Sequence, residues 1–358
     1  MSRHDQTQHT PAADAQKGFA SELRDAVTGR AALLVIAVLL LQFGFIVSYV
    51  GALHSPTPHR LSIGVVAPPH VSPQLVAALD QIPKEAVSAR LIADKGAAVG
   101  QLKSQKLYAT LLFNPSGTQD TLLIASARGP SAARAAEQIV TGLDQAQGRT
   151  VQVQDVVPLA VGDANGLSSF YLVIGWCVGG YLVASILGIS AGARPANRNR
   201  AVLRALVLAF YSIAAGIGGA LITGPILHAL PGGLLPLWGL GSLVVFAVGT
   251  VTMALECLFD VAGIGLAVLV FVVLGNPSAG GVFPPPMMPP FWQAIGPWLP
   301  NGAGTSVARS INYFDGTKVL MPLLLLAVWA LVGLAVTMAA VSLRPRGGRP
   351  ALPPEPAS

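Results

Sequence analysis

AALLVIAVLLLQFGFIVSYVGAL, residues 31–53, is an unbroken apolar run that ends at HSPTPHR, residues 54–60. A membrane-spanning helix needs about 20 apolar residues, because the hydrocarbon core is about 30 Å thick. The run therefore reads as a first transmembrane helix. Polar residues precede it, so it reads as a retained anchor and not a cleaved leader. A long polar stretch follows at 54–168, and then a dense series of apolar runs over 170–343. The hydropathy pattern predicts six spans, at 31–53, 169–190, 202–224, 235–255, 259–275 and 319–342. The expected fold is a polytopic α-helical membrane protein with six transmembrane helices and an extracytoplasmic α/β domain inserted between helices 1 and 2.

Composition agrees with lipid burial. Hydrophobic residues make up 53% of the chain and charged residues 11%, against roughly 25% charged in soluble domains. The net charge of +6 points to topology and not to nucleic acid. Arg194, Arg198, Arg200 and Arg204 share one short loop, and Arg344, Arg346 and Arg349 follow the last span. Arginines flanking spans mark the cytoplasmic side. Both clusters give the same parity: N- and C-termini inside, 54–168 outside, in a plasma membrane crossed several times. Cys177 and Cys257 lie in or beside spans, and 54–168 has no cysteine, so the inserted domain must rely on its own core.

Within the insertion, strands are expected at 61–67, 87–93, 107–113, 121–127 and 151–157. Helices are expected at 72–81, with Ser72 as cap, at 97–105 and at 131–147. Asn114-Pro115-Ser116-Gly117 marks a turn. Alternating strands and helices imply a small α/β domain with a partly parallel sheet. Among its carboxylates, Asp94, Asp120, Asp155 and Asp163 are scattered and show no catalytic spacing. His54, His59 and His70 sit in a Pro-rich linker that reads as solvated chain. No catalytic, cofactor or metal residues are assigned.

In the membrane half, Gly175, Gly179, Gly180, Gly188, Gly216, Gly218 and Gly219 suggest close helix packing. Glu256 and Asp260 border a tight hairpin between the fourth and fifth spans, so no carboxylate is expected inside the bundle. That speaks against proton-coupled transport. Residues 276–317 are rich in Pro, Gly and Trp. They suggest an outer re-entrant segment with short helices near 287–296 and 301–312, and with Phe291, Trp292 and Trp298 at the lipid–water boundary. Arg309 is expected on a polar face at that boundary. Residues 17–30 have amphipathic spacing, so 1–30 reads as a cytoplasmic segment with an amphipathic helix and 344–358 as a cytoplasmic tail.

Two motifs carry a family resemblance: Gly275-Asn-Pro-Ser-Ala-Gly-Gly-Val-Phe-Pro284 and Phe291-Trp-Gln-Ala-Ile-Gly-Pro-Trp-Leu-Pro300, followed by Asn301-Gly-Ala-Gly and Arg309. With the one-plus-five layout and the strand-like run 107–113, they resemble ABC-2-type transporter membrane subunits, in the phage-infection-protein and nitrosoguanidine-resistance branch. The resemblance implies an export permease for an amphiphilic or envelope-related compound, acting as a homodimer or pseudo-dimer with a separate ATPase. No Gly-x-x-x-x-Gly-Lys-Ser/Thr phosphate loop occurs, so no nucleotide cofactor is expected in this chain. By the resemblance, Arg194, Arg198, Arg200 and Arg204 are candidates for partner coupling, and Pro297, Trp298 and Arg309 for re-entry or gating. The expected partners are the lipid bilayer and the ATPase, not nucleic acid. The alternative is a non-transporting membrane protein whose inserted domain binds an envelope component or partner.

Overall fold

The computed structural model describes residues 28–343. The amphipathic stretch within 17–30 falls almost wholly outside them, as do the arginines at 344–349. Six helical segments are long and apolar enough to cross a membrane: Ala31–Leu53, Ser168–Ala191, Arg198–Ile226, Leu234–Phe259, Val261–Ser278 and Leu320–Ser342. Each lies within a few residues of its expected position, because length and hydropathy are local properties of the chain.

Helix α1 (Gly29–Leu53) precedes the inserted domain. Of the described residues, those up to Gly44 fall in one unit and those from Phe45 onward in another. The domain holds β1 (Leu61–Val66), α2 (Ser72–Asp80), β2 (Val87–Leu91), α3 (Lys95–Lys103), β3 (Ala109–Leu112), β4 (Gln119–Ile124), α4 (Pro130–Gln145) and β5 (Thr150–Asp155). Strand order is β2-β1-β3-β4-β5. β1 runs parallel to β2 and β3, β3 antiparallel to β4, and β4 parallel to β5. The antiparallel pair is the hairpin closed by the expected turn, in which Asn114 Oδ1 accepts from Ser116 N at 3.0 Å.

Alternation along β1 sends Leu61, Ile63 and Val65 to one face, against Leu75 and Leu79 of α2 and Ala132, Ala136 and Val140 of α4. The other face packs Leu107 and Leu123 against Ala98 and Leu102 of α3. Each face also takes a residue from outside the domain, Met287 on the first and Phe314 on the second. Ser72 is not the cap of α2. Its hydroxyl donates back to Ala67 O and Pro68 O, and the N-cap position is Val71. The carboxylate of Asp94 does cap α3, accepting from Ala97 N at 2.8 Å.

The membrane half is built around α7 (Leu234–Phe259), which packs on α5 (Ser168–Ala191), α6 (Arg198–Leu221) and the last helix. Close approach is possible because Gly216 has no side chain: a Cβ there would lie 2.6 Å from Ser242 N and 2.7 Å from Trp238 O. Asp260, at φ 56°, turns the chain from α7 into α8 (Val261–Val268). The fifth span then widens into a π-helical stretch, Leu269–Leu274, and ends as α9 (Gly275–Ser278). Two short helices, α10 (Pro290–Ile295) and α11 (Pro300–Tyr313), precede the sixth span, α12 (Leu320–Ser342).

Candidate functional site

The fifth span is irregular, and side chains complete its hydrogen bonding. Pro277 has no N–H to offer the Val273 carbonyl one turn back, and Ser48 Oγ of α1 donates to that carbonyl instead. Inside the widened turn, the Phe271 carbonyl accepts from Asn301 Nδ2 at 2.9 Å. The same amide donates to Asn276 Oδ1 at 2.7 Å, and Asn276 Nδ2 donates to Tyr49 OH at 3.0 Å. Unpaired backbone in hydrocarbon costs several kcal/mol per group, so this ladder is what makes the break tolerable. It joins the two sequence motifs, 275–284 and 291–304, through Asn276 and Asn301.

Arg309 departs from expectation. It is not presented on an exposed polar face but is 8% exposed. Its guanidinium donates only to main-chain carbonyls: Gly280 at 3.1 Å, Arg128 at 3.4 Å, Gly281 at 3.4 Å and Gly166 at 3.5 Å. One side chain thus ties α11 to the loop after α9, to the inserted domain and to the turn before α5. Further links come from Gln105, whose amide donates to Ser310 Oγ and Thr317 Oγ1, both at 3.1 Å, and from Tyr313 OH, which donates to Asp163 Oδ2 at 2.7 Å.

At this junction lies a cavity of about 250 Å³. Arg128, Arg309 and Lys318 line it, with Gln105, Tyr108 and Ser306, several prolines and no Asp or Glu. Tyr108 supports Arg128 from beneath, its ring 3.6 Å from the guanidinium carbon. Burial, and then the charge of Arg90, push Arg128 below the usual arginine range, and the Tyr108 phenol partly opposes that. Burial likewise pushes Lys318 down, helped by the positive charges of Arg128, Lys106 and Arg90. Lys318 Nζ donates to Gln105 O at 2.6 Å. Of the expected gating residues, Pro297 lines this cavity. Trp298 is exposed, and its carbonyl accepts from Trp329 Nε1 at 3.0 Å. Trp292, expected at the membrane boundary, is buried against Ala52 and Met288.

The four loop arginines sit in different surroundings. Arg204 is buried and caps the end of α5, donating to Ala191 O at 2.7 Å and Gly192 O at 2.6 Å. Arg194 donates to Leu258 O at 3.0 Å, while Arg198 and Arg200 stay exposed at the start of α6. The expectation of no carboxylate inside the bundle is also corrected. Helix α7 continues past Glu256, so this residue lies within the helix and is 1% exposed. Its carboxylate fills the space left by Gly188, next to Ser185 and Arg204, and its Oε1 has no hydrogen-bond partner among the described residues. Hairpin charges usually lie outside lipid; here the extra turn of α7 carries Glu256 inward.

Arg128, Tyr108 and Lys318 were not singled out as site residues from the sequence. They lie in three separate segments, and the only local signal was a lysine just before the last span. Among the described residues, no group of three His, Cys, Asp or Glu could hold a metal ion. Comparison with known proteins finds no family model, no curated protein and no solved structure that matches this chain.

Proposed function

We propose that the chain is an ABC-2-type export permease subunit that moves an amphiphilic or envelope-related compound outward with a separate ATPase. The observation that carries this reading is the irregular fifth span. Its widened turn, and the Val273 carbonyl that Pro277 leaves without a donor, are held by side chains from α1 and α11, and Arg309 ties the same segment to the inserted domain. A span held by side chains can repack without stranding backbone groups in lipid, which suits a gate. In this reading the inserted domain is extracytoplasmic, by the parity of the arginine clusters, and two protomers rock under the force of the ATPase. Arg198 and Arg200, exposed at the start of α6, are the docking residues. A second reading, a non-transporting protein that holds an envelope component at the inserted domain, draws on the cavity at the junction.

Purification from the native host in mild detergent tests this. The expected result is a stoichiometric ATPase with a phosphate loop, whose ATP turnover rises in liposomes containing the chain and is uncoupled by R198E/R200E. A stable complex without any ATPase, together with unchanged export of labelled amphiphiles after deletion, overturns it.

A further inference from the structure

The cavity at the junction places three cations around one space and supplies no anion. Among the described residues, no salt bridge includes Arg128, Arg309 or Lys318. Asp163 acts on Arg309 through space, but it does not line the cavity and is engaged by Tyr313 OH and by Ser168 N at 2.8 Å. Arg128 Nη1 is buried with no hydrogen-bond partner among the described residues. Arg309 is buried, Arg128 is half-buried and Lys318 is exposed at the rim; like charges gathered in a partly desolvated space without a counter-charge are costly, and an unpaired buried donor adds to the cost. Lys318 is also held at φ 57°, a left-handed conformation that is unfavourable for a residue with a side chain. Strain and uncompensated charge in one cavity are the mark of a site completed by a ligand.

We propose that this cavity binds a phosphate-type anionic group, with Arg128 and Lys318 as its principal ligands and Arg309 forming the wall behind them. Planar guanidinium and compact ammonium groups are the usual partners of phosphate. A volume of about 250 Å³ has room for a phosphate with a short glycerol-like stem. The position fits a headgroup. The lining includes Ser278, the last residue of the fifth span, and Pro322, in the first turn of α12. The cavity therefore lies at the level where spans end and headgroups begin. Proline and alanine side chains form its apolar side. The inference does not depend on transport or on any ATPase.

The test uses the full chain in phosphatidylcholine nanodiscs and has two arms. One arm titrates phosphatidylglycerol and follows lipid retention by native mass spectrometry. The other titrates inorganic phosphate and glycerol 3-phosphate and follows thermal stability. Saturable retention of phosphatidylglycerol over phosphatidylcholine identifies a lipid headgroup as the source, and stabilisation by the soluble anions identifies a free phosphate ligand. Either outcome supports the site if R128Q and K318Q each weaken binding about tenfold or more, as loss of a charge-assisted hydrogen bond requires. Arg309 is left intact because its carbonyl contacts hold the fold, and gel filtration with circular dichroism confirms that each variant is folded. Unchanged binding in folded R128Q and K318Q, or no preference for any anion in either arm, overturns the proposal.

Discussion

Arg204 and Arg309 are equally buried, at 8% exposed each, and both donate to main-chain carbonyls, yet their surroundings differ. Arg204 sits at the end of the bundle where α7 turns into α8 and has the Glu256 carboxylate beside it. Arg309 sits across the span, beyond α9, with Arg128 and Lys318 around the same cavity and no carboxylate in its lining. At the first end a carboxylate acts on the arginine through space, with one oxygen left without a partner among the described residues. At the second, Asp163 acts on Arg309 through space but is engaged by Tyr313 and Ser168 and stays out of the cavity, so positive charge there is in excess. The two ends therefore differ in the sign of the charge left over, and the second is the one suited to an anion.

The largest effect is expected at Arg309. R309A removes donors from four carbonyls and should lower stability by about 2–4 kcal/mol, read as a drop in melting temperature in detergent. R309K should recover little, because an ammonium cannot span the four carbonyls as a planar fork does. Next comes the ladder that supports the broken span. N301L keeps the branched outline of the side chain but strips the donor from the Phe271 carbonyl and from Asn276, for an expected cost of about 1–3 kcal/mol. The comparison itself is tested by a double-mutant cycle. R204Q and E256Q should be coupled by about 1 kcal/mol, with the double variant less destabilised than the sum of the singles. The cycle of R128Q with K318Q should show coupling of the opposite sign, since the charge of Arg128 acts on Lys318 and removing one cation relieves the other. Equal signs would erase the distinction between the two ends.

The smallest effect concerns a third balance of charge, in the inserted domain. Here Arg149 faces two acids. It pairs with buried Asp120 at 2.6 Å and stacks on the Phe113 ring. Asp144 lies alongside, and burial, then repulsion from Asp120, raise its carboxyl to about 6 against a partial lowering by Arg149. Its Oδ2 has no hydrogen-bond partner among the described residues. A carboxyl raised on folding binds its proton more tightly in the native state, so its contribution to stability is greatest below the unfolded value near 4 and is lost as pH rises through about 6. Melting temperature should therefore decline slightly between pH 4 and pH 6, and D144N should flatten that slope and stabilise the protein at pH 7. A slope that survives D144N would assign it to another group.

The elements of the inserted domain were legible because strand and helix periods are written in neighbouring residues, and the spans because lipid thickness sets their length. The errors have local causes of their own. Ser72 stands where a cap is expected, but its hydroxyl satisfies the turn before α2. Glu256 lies so near the hairpin that it read as surface charge, and one further turn of α7 carries it inward. Arg309 on an otherwise polar helix suggested a wet face, yet the inserted domain and the 280–281 loop close over it. Of the candidate site, Pro297 and Arg309 were named from sequence, while Arg128, Tyr108 and Lys318 were not.

Where this chain can cross a membrane, which stretch folds as a separate α/β layer and which segment departs from a regular helix are all set locally, because hydropathy, period and proline act within a few residues. Tertiary structure alone decided that Asn276 meets Asn301 and Ser48 meets the Val273 carbonyl. It also decided that three cations from distant segments share one cavity. Those contacts join residues dozens to hundreds of positions apart, and only packing brings them within hydrogen-bond range.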